Sequence, residues 1–179
     1  DGARIFNAAV HLDVPLRAIT SEAGVDALSF GGTKNGLMAG EAVIFFDQRL
    51  ARDFEFRRMQ GMQLASKMRF IAAQFTALFA DDLWRRSASR ANAMAQLLAG
   101  ELAGIRGVTL TQPVEANEVF AILPREIVAP LQERWPFHIW DEAKAEARLI
   151  TSFDTEEVDI ADFAALVRES VGARQKQWT

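Results

Sequence analysis

The sequence predicts an α/β fold in which the end of a larger sheet is followed by helices and then by a small α/β domain. Three observations support this prediction: two short glycine-bounded apolar runs, a long proline-free stretch with helical spacing, and alternating strand and helix patterns in the last third. Half of the 179 residues are hydrophobic and a quarter are charged, which is typical of globular domains.

Two strands are predicted near the start of the chain, at residues 25–30 and 40–46. Both are short, rich in β-branched or aromatic residues and bounded by glycine. From Ala42 to Phe46 the second run is continuously apolar, as in a strand covered on both faces. Between them lies a glycine-rich turn, residues 31–36 (GGTKNG), with Lys34 near its centre.

Residues 47–104 contain no proline and are predicted to be helical in several pieces. Phe70, Ala73 and Ala77 supply apolar positions at near-helical spacing. These helices connect the predicted sheet to the rest of the chain. The pattern predicts a first domain over residues 1–104 and a second over residues 105–179.

The second domain is predicted to alternate strands with helices. A helix is expected near residues 126–134, among strands at residues 108–110, 118–123, 137–140 and 148–151. The last helix is predicted from a capping box, in which Asp154 is followed three residues later by Glu157. Its apolar stripe consists of Ile160, Phe163, Val167 and Val171.

Charge and composition narrow the function. The net charge of −4 provides no basic field for a phosphate backbone, so nucleic acid is not expected as a partner. No apolar run approaches the roughly 20 residues that a membrane helix needs. The chain has no cysteine and only two histidines, so no metal site is expected. We expect a soluble cytoplasmic protein with small substrates.

Lys34 is the first candidate for chemistry. A lysine in a tight turn directly after a buried strand is shielded from solvent, and desolvation favours its neutral, nucleophilic form. Such an amine can form a Schiff base with the aldehyde of pyridoxal 5′-phosphate (PLP). The neighbouring Thr33 hydroxyl can bond a phosphate oxygen. The turn alone also fits an ordinary solvated lysine in a surface hairpin.

The segment at residues 1–8 (DGARIFNA) adds an acid to this picture. PLP enzymes use a carboxylate to keep the pyridinium nitrogen protonated, and Asp1 is a candidate for that role. Arg4 adds a cation near the same strand end. Alternatively, Asp1 and Arg4 form a surface ion pair of little energetic weight.

Together, the DGARIFNA segment and the lysine turn resemble the L-threonine aldolase family of fold-type I PLP enzymes. The resemblance implies an aspartate aminotransferase-like fold, of which this chain is the C-terminal half. It implies that Lys34 holds PLP, with Asp1, Arg4, Thr33 and Arg58 as further cofactor contacts.

Later segments extend the resemblance to the whole chain. Residues 147–154 (ARLITSFD) are similar to the family's late strand, which implies that Arg148, assisted by Arg4, grips the substrate carboxylate. Arg148 otherwise forms a rim salt bridge with Glu142 or Glu146. One departure is Asn35, which stands where the family usually has glycine directly after its lysine.

The resemblance implies cleavage of L-threonine or related β-hydroxy-α-amino acids to glycine and an aldehyde. Two alternatives stay open: β-elimination or transamination on the same scaffold, and a non-catalytic interaction domain. Family members are about twice this length, so we expect this chain to be a fragment of the enzyme, or one of two polypeptides, with the N-terminal half as the partner that completes the fold. We also expect a homodimer or homotetramer with shared active sites.

Overall fold

The two predicted strands near the start form an antiparallel hairpin. A computed structural model describes residues 1–175; in it β1 covers Ala27–Gly31 and β2 covers Glu41–Phe45, with Leu28 opposite Ile44. Strand positions are confirmed, but the predicted burial of β2 on both faces is wrong. Its side chains are exposed or half-buried, because the described residues do not cover both faces of the hairpin.

A helix that the sequence analysis did not predict precedes the hairpin. Helix α1 covers Ile5–Leu12 and ends at Asp13, which adopts a left-handed conformation with a φ of 51°. Its fully buried Phe6 lies edge-to-face against Phe30 of β1, with ring centroids 5.3 Å apart. The apolar Phe6 of DGARIFNA therefore anchors a helix on β1.

Three helices follow the hairpin, as predicted for the proline-free stretch. They are α2 (Phe54–Gln60), α3 (Met68–Phe79) and α4 (Leu83–Ala103). Phe70, Ala73 and Ala77, the apolar positions named for this stretch, do not form the buried face of α3, because all three are exposed. The inward face carries Ile71, Phe75 and Leu78, whose spacing of four and three residues places them on one stripe.

The last third of the chain forms a four-stranded antiparallel sheet with two helices. The strand order is β3-β4-β6-β5. The strands are β3 (Thr109–Leu110), β4 (Glu118–Ile122), β5 (His138–Asp141) and β6 (Glu146–Ile150), and the helices are α5 (Arg125–Arg134) and α6 (Glu157–Gln175). This arrangement confirms the predicted alternation.

One face of this sheet forms the core. Val119, Ala121, Ala147 and Leu149 alternate along β4 and β6 and are at most 5% exposed. Residues of α4, α5 and α6 cover them, and the predicted α6 stripe is confirmed: Ile160, Phe163, Val167 and Val171 all belong to this cluster.

The predicted start of α6 is shifted. Asp154 does not cap the helix; it accepts a hydrogen bond from the Ser152 hydroxyl. The helix begins at Glu157, and Asp159 reaches back to accept the backbone N–H of Glu156 at 2.9 Å. The capping interaction therefore occurs two residues later, because Ser152 and Thr155 form a turn that engages Asp154 first.

The chain divides into two compact units, Asp1–Ser89 and residues from Arg90 onward. The division falls within α4, whereas the sequence predicts a boundary after residue 104. The later part of α4 belongs to the second unit because Met94, Leu98 and Leu102 lie in its core. No described helix is both long enough and apolar enough to cross a membrane.

A buried polar cluster ties β4 and β6 to α4, and we expect Thr151→Val to disrupt it. The Thr151 hydroxyl donates to the Ala91 carbonyl at 2.7 Å, and the residue is 2% exposed. Valine removes the buried hydrogen bond that the hydroxyl donates, which should lower the free energy of unfolding in urea by about 0.5–1.5 kcal/mol. Thr109→Val, on the exposed edge of β3, is the control and should change stability by less than about 0.5 kcal/mol. Equal effects would contradict this account.

Candidate active site

Lys34 lies in a tight turn directly after β1. The turn closes through a hydrogen bond from the Gly32 N–H to the Gly40 carbonyl, 2.8 Å long. Asn35 is 3% exposed, and its side-chain amide donates to the Gly31 carbonyl at 3.1 Å. Asn35, which departs from the family pattern, therefore stabilises the turn through a buried hydrogen bond to its first residue. Gly36 completes the turn with a φ of 104°, which glycine adopts without strain.

Gly32 has no room for a side chain. A Cβ added there would lie 2.2 Å from Cδ1 of Leu37 and 3.0 Å from the carbonyl oxygen of Gly40. Its backbone has ordinary right-handed helical angles, so the restriction comes from packing and not from φ. The turn that carries Lys34 is therefore built around a glycine that is required sterically.

Residues 1–4 pack against β1, close to the turn that carries Lys34. The Gly2 N–H donates to the Ser29 carbonyl at 2.7 Å, and a Cβ added to Gly31 would be 3.4 Å from Cα of Ala3. Asp1 accepts the backbone N–H of Ala3 through Oδ1 at 2.8 Å. Residues 1–4 and the Lys34 turn, distant in sequence, are therefore neighbours.

Two expectations about the turn are corrected. The Lys34 side chain is exposed, so the described residues do not supply the solvent shielding that was predicted for it. The Thr33 hydroxyl donates to Oε1 of Glu41 at 3.0 Å. Glu41, at the start of β2, was not identified from the sequence; its position directly across the hairpin from Gly31 is visible only once the register is known.

Arg58 belongs to the basic wall of a groove. The groove has a volume of about 850 Å³ and lies between the hairpin, α2 and α3. Glu41 lines it at the hairpin end. Its basic side chains are Arg57, Arg58 and Arg69, and its apolar lining includes Val43, Phe45, Phe54, Ile71 and Phe75. Arg58 is exposed on α2.

Arg148 lies in the second unit, on the outer face of its sheet. Its guanidinium binds Glu118 at two points: Nε donates to Oε2 at 3.1 Å, and Nη2 donates to Oε1 at 2.5 Å. The predicted salt bridge of Arg148 with Glu142 or Glu146 is therefore wrong. Glu142 is exposed in the β5–β6 turn, and the buried Glu146 accepts a hydrogen bond from Thr111.

Aromatic side chains surround the guanidinium on the same face. Its Cζ lies 5.4 Å from the centroid of the Trp140 ring, and Trp140 packs edge-to-face on Phe120. The turn beside this site is pinned by Lys144, whose hydrogen bond keeps the pKa of Asp141 below its usual value. Trp140 and Glu118 are site residues that the sequence analysis missed.

The structure thus packs Gly2 and Ala3, which lie between Asp1 and Arg4 in the sequence, against β1, whose last residue Gly31 begins the turn that carries Thr33 and Lys34. Arg58 lines the groove, and Arg148 belongs to the other unit. Within residues 1–175, no group of three or more histidine, aspartate or glutamate side chains could hold a metal ion. The chemistry available near β1 is an amine, carboxylates, a hydroxyl and a guanidinium.

Comparisons with known proteins identify relatives of this chain. The sequence model of the beta-eliminating lyase family matches residues 1–125. The low specificity L-threonine aldolases of Pseudomonas sp. and Pseudomonas aeruginosa are each 44% identical over 174 residues, which is 97% of this chain and 50% of theirs. The chain therefore spans about half the length of these curated relatives.

A solved structure shows the same fold. The threonine aldolase of Leishmania major matches with a TM-score of 0.84 and 28% identity, over 96% of this chain and 51% of that one. The predicted α/β, aldolase-like fold is thereby confirmed. Because the family model covers well over half of the sequence, the chain belongs to the beta-eliminating lyase family.

Proposed function

We propose that this chain provides the lysine-bearing half of a PLP-dependent aldolase that cleaves L-threonine or related β-hydroxy-α-amino acids to glycine and an aldehyde. The observation that carries the proposal is the convergence of residues 1–4 and the Lys34 turn at one end of β1. The relatives named as low specificity L-threonine aldolases support the substrate class. A cytoplasmic location is part of the same proposal.

The residues near β1 match the needs of PLP. Lys34 presents its amine on an exposed turn, where the aldehyde of the cofactor can reach it. Asp1 has a carboxylate to hold a proton on the pyridinium nitrogen. Thr33 and Arg58 offer a hydroxyl and a cation to the phosphate. Thr33 has to turn away from Glu41 to do so, since its hydroxyl is engaged there.

The remaining assigned residues would bind substrate. Arg148 has the planar fork that pairs with a carboxylate at two points, and Arg4 adds a second cation near Asp1. Bound PLP supplies an electron sink for the electrons of the Cα–Cβ bond. The chain's own contribution is to hold the cofactor, keep its ring nitrogen protonated and orient the carboxylate.

The proposal includes a further polypeptide part, corresponding to the half of the relatives that this chain does not cover. Many large apolar side chains are exposed in the first unit, an arrangement that monomeric surfaces usually avoid. They include Met38, Val43, Phe46, Phe56, Met59, Met62, Leu64 and Phe70. We propose that the rest of the enzyme and a second subunit cover this surface and complete the shielding of Lys34.

The test is reductive trapping of the cofactor on the complete enzyme. Borohydride converts a lysine–PLP linkage into a stable secondary amine, and peptide mapping then locates the modified lysine. We expect the label on Lys34 and not on Lys67 or Lys144. A label on another lysine would remove Lys34 as the cofactor lysine, and no label at all would sink the cofactor assignment and with it the aldolase.

A different PLP reaction is the second candidate, because the matching family is described as beta-eliminating lyases. The same Lys34, Asp1 and Arg148 would serve either reaction. The products distinguish them: aldol cleavage yields glycine and an aldehyde, whereas β-elimination releases ammonia and a keto acid. Product analysis with threonine and phenylserine decides between the two.

We expect Arg148→Ala to raise the KM for threonine about 10- to 100-fold, because two charge-assisted hydrogen bonds to the carboxylate are lost. The effect should fall mainly on KM and not on the amount of bound PLP, which is measured by absorbance. Arg125→Ala, on exposed α5, is the matched control and should leave KM unchanged. An unchanged KM in Arg148→Ala would remove this residue from the site.

A further inference from the structure

Glu118 occupies the side edge of the Arg148 guanidinium, which is formed by Nε and Nη2. Both side chains are 23% exposed, and the two contacts are 3.1 and 2.5 Å long. Two-point pairing of this kind is frequent between arginine and carboxylates. A substrate carboxylate either takes the same edge in place of Glu118 or binds the Nη1/Nη2 edge. In both cases, two negative charges compete for one cation.

The sheet builds this pair into its framework. Arg148 of β6 lies opposite Phe120 of β4, and Glu118 lies opposite Ile150, so Glu118 and Arg148 are diagonal neighbours on the same face. Glu118 directly precedes the buried Val119, and the packing of Val119 fixes the backbone position from which the Glu118 side chain extends. The contact is thus set by strand register and is not an accident of a mobile loop.

Trp140 makes a second contact with the guanidinium. The ring centroid lies 5.4 Å from the guanidinium carbon, which is within the range of a cation–π contact. The ring packs on Phe120, with centroids 5.5 Å apart. Loss of the Glu118 contact frees two hydrogen-bond donors of Arg148 and leaves this contact with Trp140.

We infer that Glu118 competes with the carboxylate of the substrate for Arg148. In the empty site it pairs a half-buried cation that would otherwise be left without a counter-charge. On binding, the incoming carboxylate meets the charge of Glu118 at the same guanidinium, so repulsion between the two carboxylates or loss of this ion pair offsets part of the interaction with Arg148. Glu118 thereby sets the affinity for carboxylate ligands. This inference rests on the proposed role of Arg148 in the aldolase.

The test measures binding of 3-hydroxybutyrate by calorimetry to the complete, PLP-loaded enzyme at low salt. This probe carries a carboxylate and a β-hydroxyl but no amine, so it reports carboxylate binding separately from chemistry at the cofactor. Glu118→Gln keeps the size of the side chain and removes its charge. We expect the Kd to fall about three- to tenfold.

Matched variants separate this effect from others. Glu142→Gln removes the same charge from the exposed turn of the same sheet and should leave the Kd within about twofold. Glu118→Asp keeps the charge but shortens the reach, and we expect the Kd to fall here too. In an Arg148→Ala background, Glu118→Gln should have no effect, a result that a purely structural role of Glu118 would not produce.

The outcomes distinguish this inference from the proposed function. If Arg148→Ala weakens binding but both Glu118 variants match Glu142→Gln, or bind more weakly than the unmodified enzyme, the competitor role is overturned and the aldolase assignment stands. If Arg148→Ala itself leaves the affinity unchanged, Arg148 is not the carboxylate site and both proposals about it fail.

Discussion

In Lys34→Ala, we expect no PLP to be trapped by borohydride and threonine cleavage to fall by a factor of about 10³ or more. The reason is that the variant removes the amine that bonds the cofactor aldehyde. The side chain is exposed on its turn, so its removal leaves the fold intact. Absorbance of bound PLP, the trapping yield and glycine production measure the effect together.

Two controls make the Lys34 result specific. Lys67→Ala removes another exposed lysine of the first unit, just before α3, and should leave trapping and activity unchanged. Thermal unfolding should give the same Tm for both variants within about 2 °C, since neither side chain is buried. Wild-type trapping in Lys34→Ala would mean that another lysine holds the cofactor.

Local patterns predicted the elements of this fold because they depend on neighbouring residues. The strands at 25–30 and 40–46 were found from apolar runs bounded by glycine, and the observed hairpin overlaps both. Burial was predicted less well. A continuously apolar strand indicates cover on both faces, but whether the covering atoms lie in the same chain is not encoded in the strand itself, and β2 is partly exposed.

Interactions across strands were the main omission. Proximity in the sequence predicted Glu142 or Glu146 as the ion-pair partner of Arg148, whereas the structure pairs it with Glu118, thirty residues away. The choice depends on the register between β4 and β6, and a shift of one residue would turn Glu118 to the other face. Glu41 was missed for the same reason, since only the hairpin register places it beside Thr33.

The second large effect is expected for Gly32→Ala, which should destabilise the first unit by about 2–3 kcal/mol and lower the yield of PLP trapped on Lys34. The new methyl group would meet Leu37 at 2.2 Å and the Gly40 carbonyl at 3.0 Å, so the turn has to open. Opening moves Lys34, and a displacement of about 1 Å in a reacting group costs roughly 10²-fold in rate.

Two glycines provide a graded comparison for Gly32→Ala. In Gly31→Ala, the nearest atom is Oε2 of Glu41 at 2.9 Å, the end of a flexible side chain that can move, so we expect a smaller loss of trapping. Gly100→Ala meets nothing within 4 Å inside α4 and should stabilise the protein by about 0.5–1 kcal/mol. The free energy of unfolding in urea and the trapping yield should both be lowest in Gly32→Ala, intermediate in Gly31→Ala and highest in Gly100→Ala. If Gly32→Ala behaved like Gly100→Ala, the tight packing beneath Lys34 would not be what positions its amine.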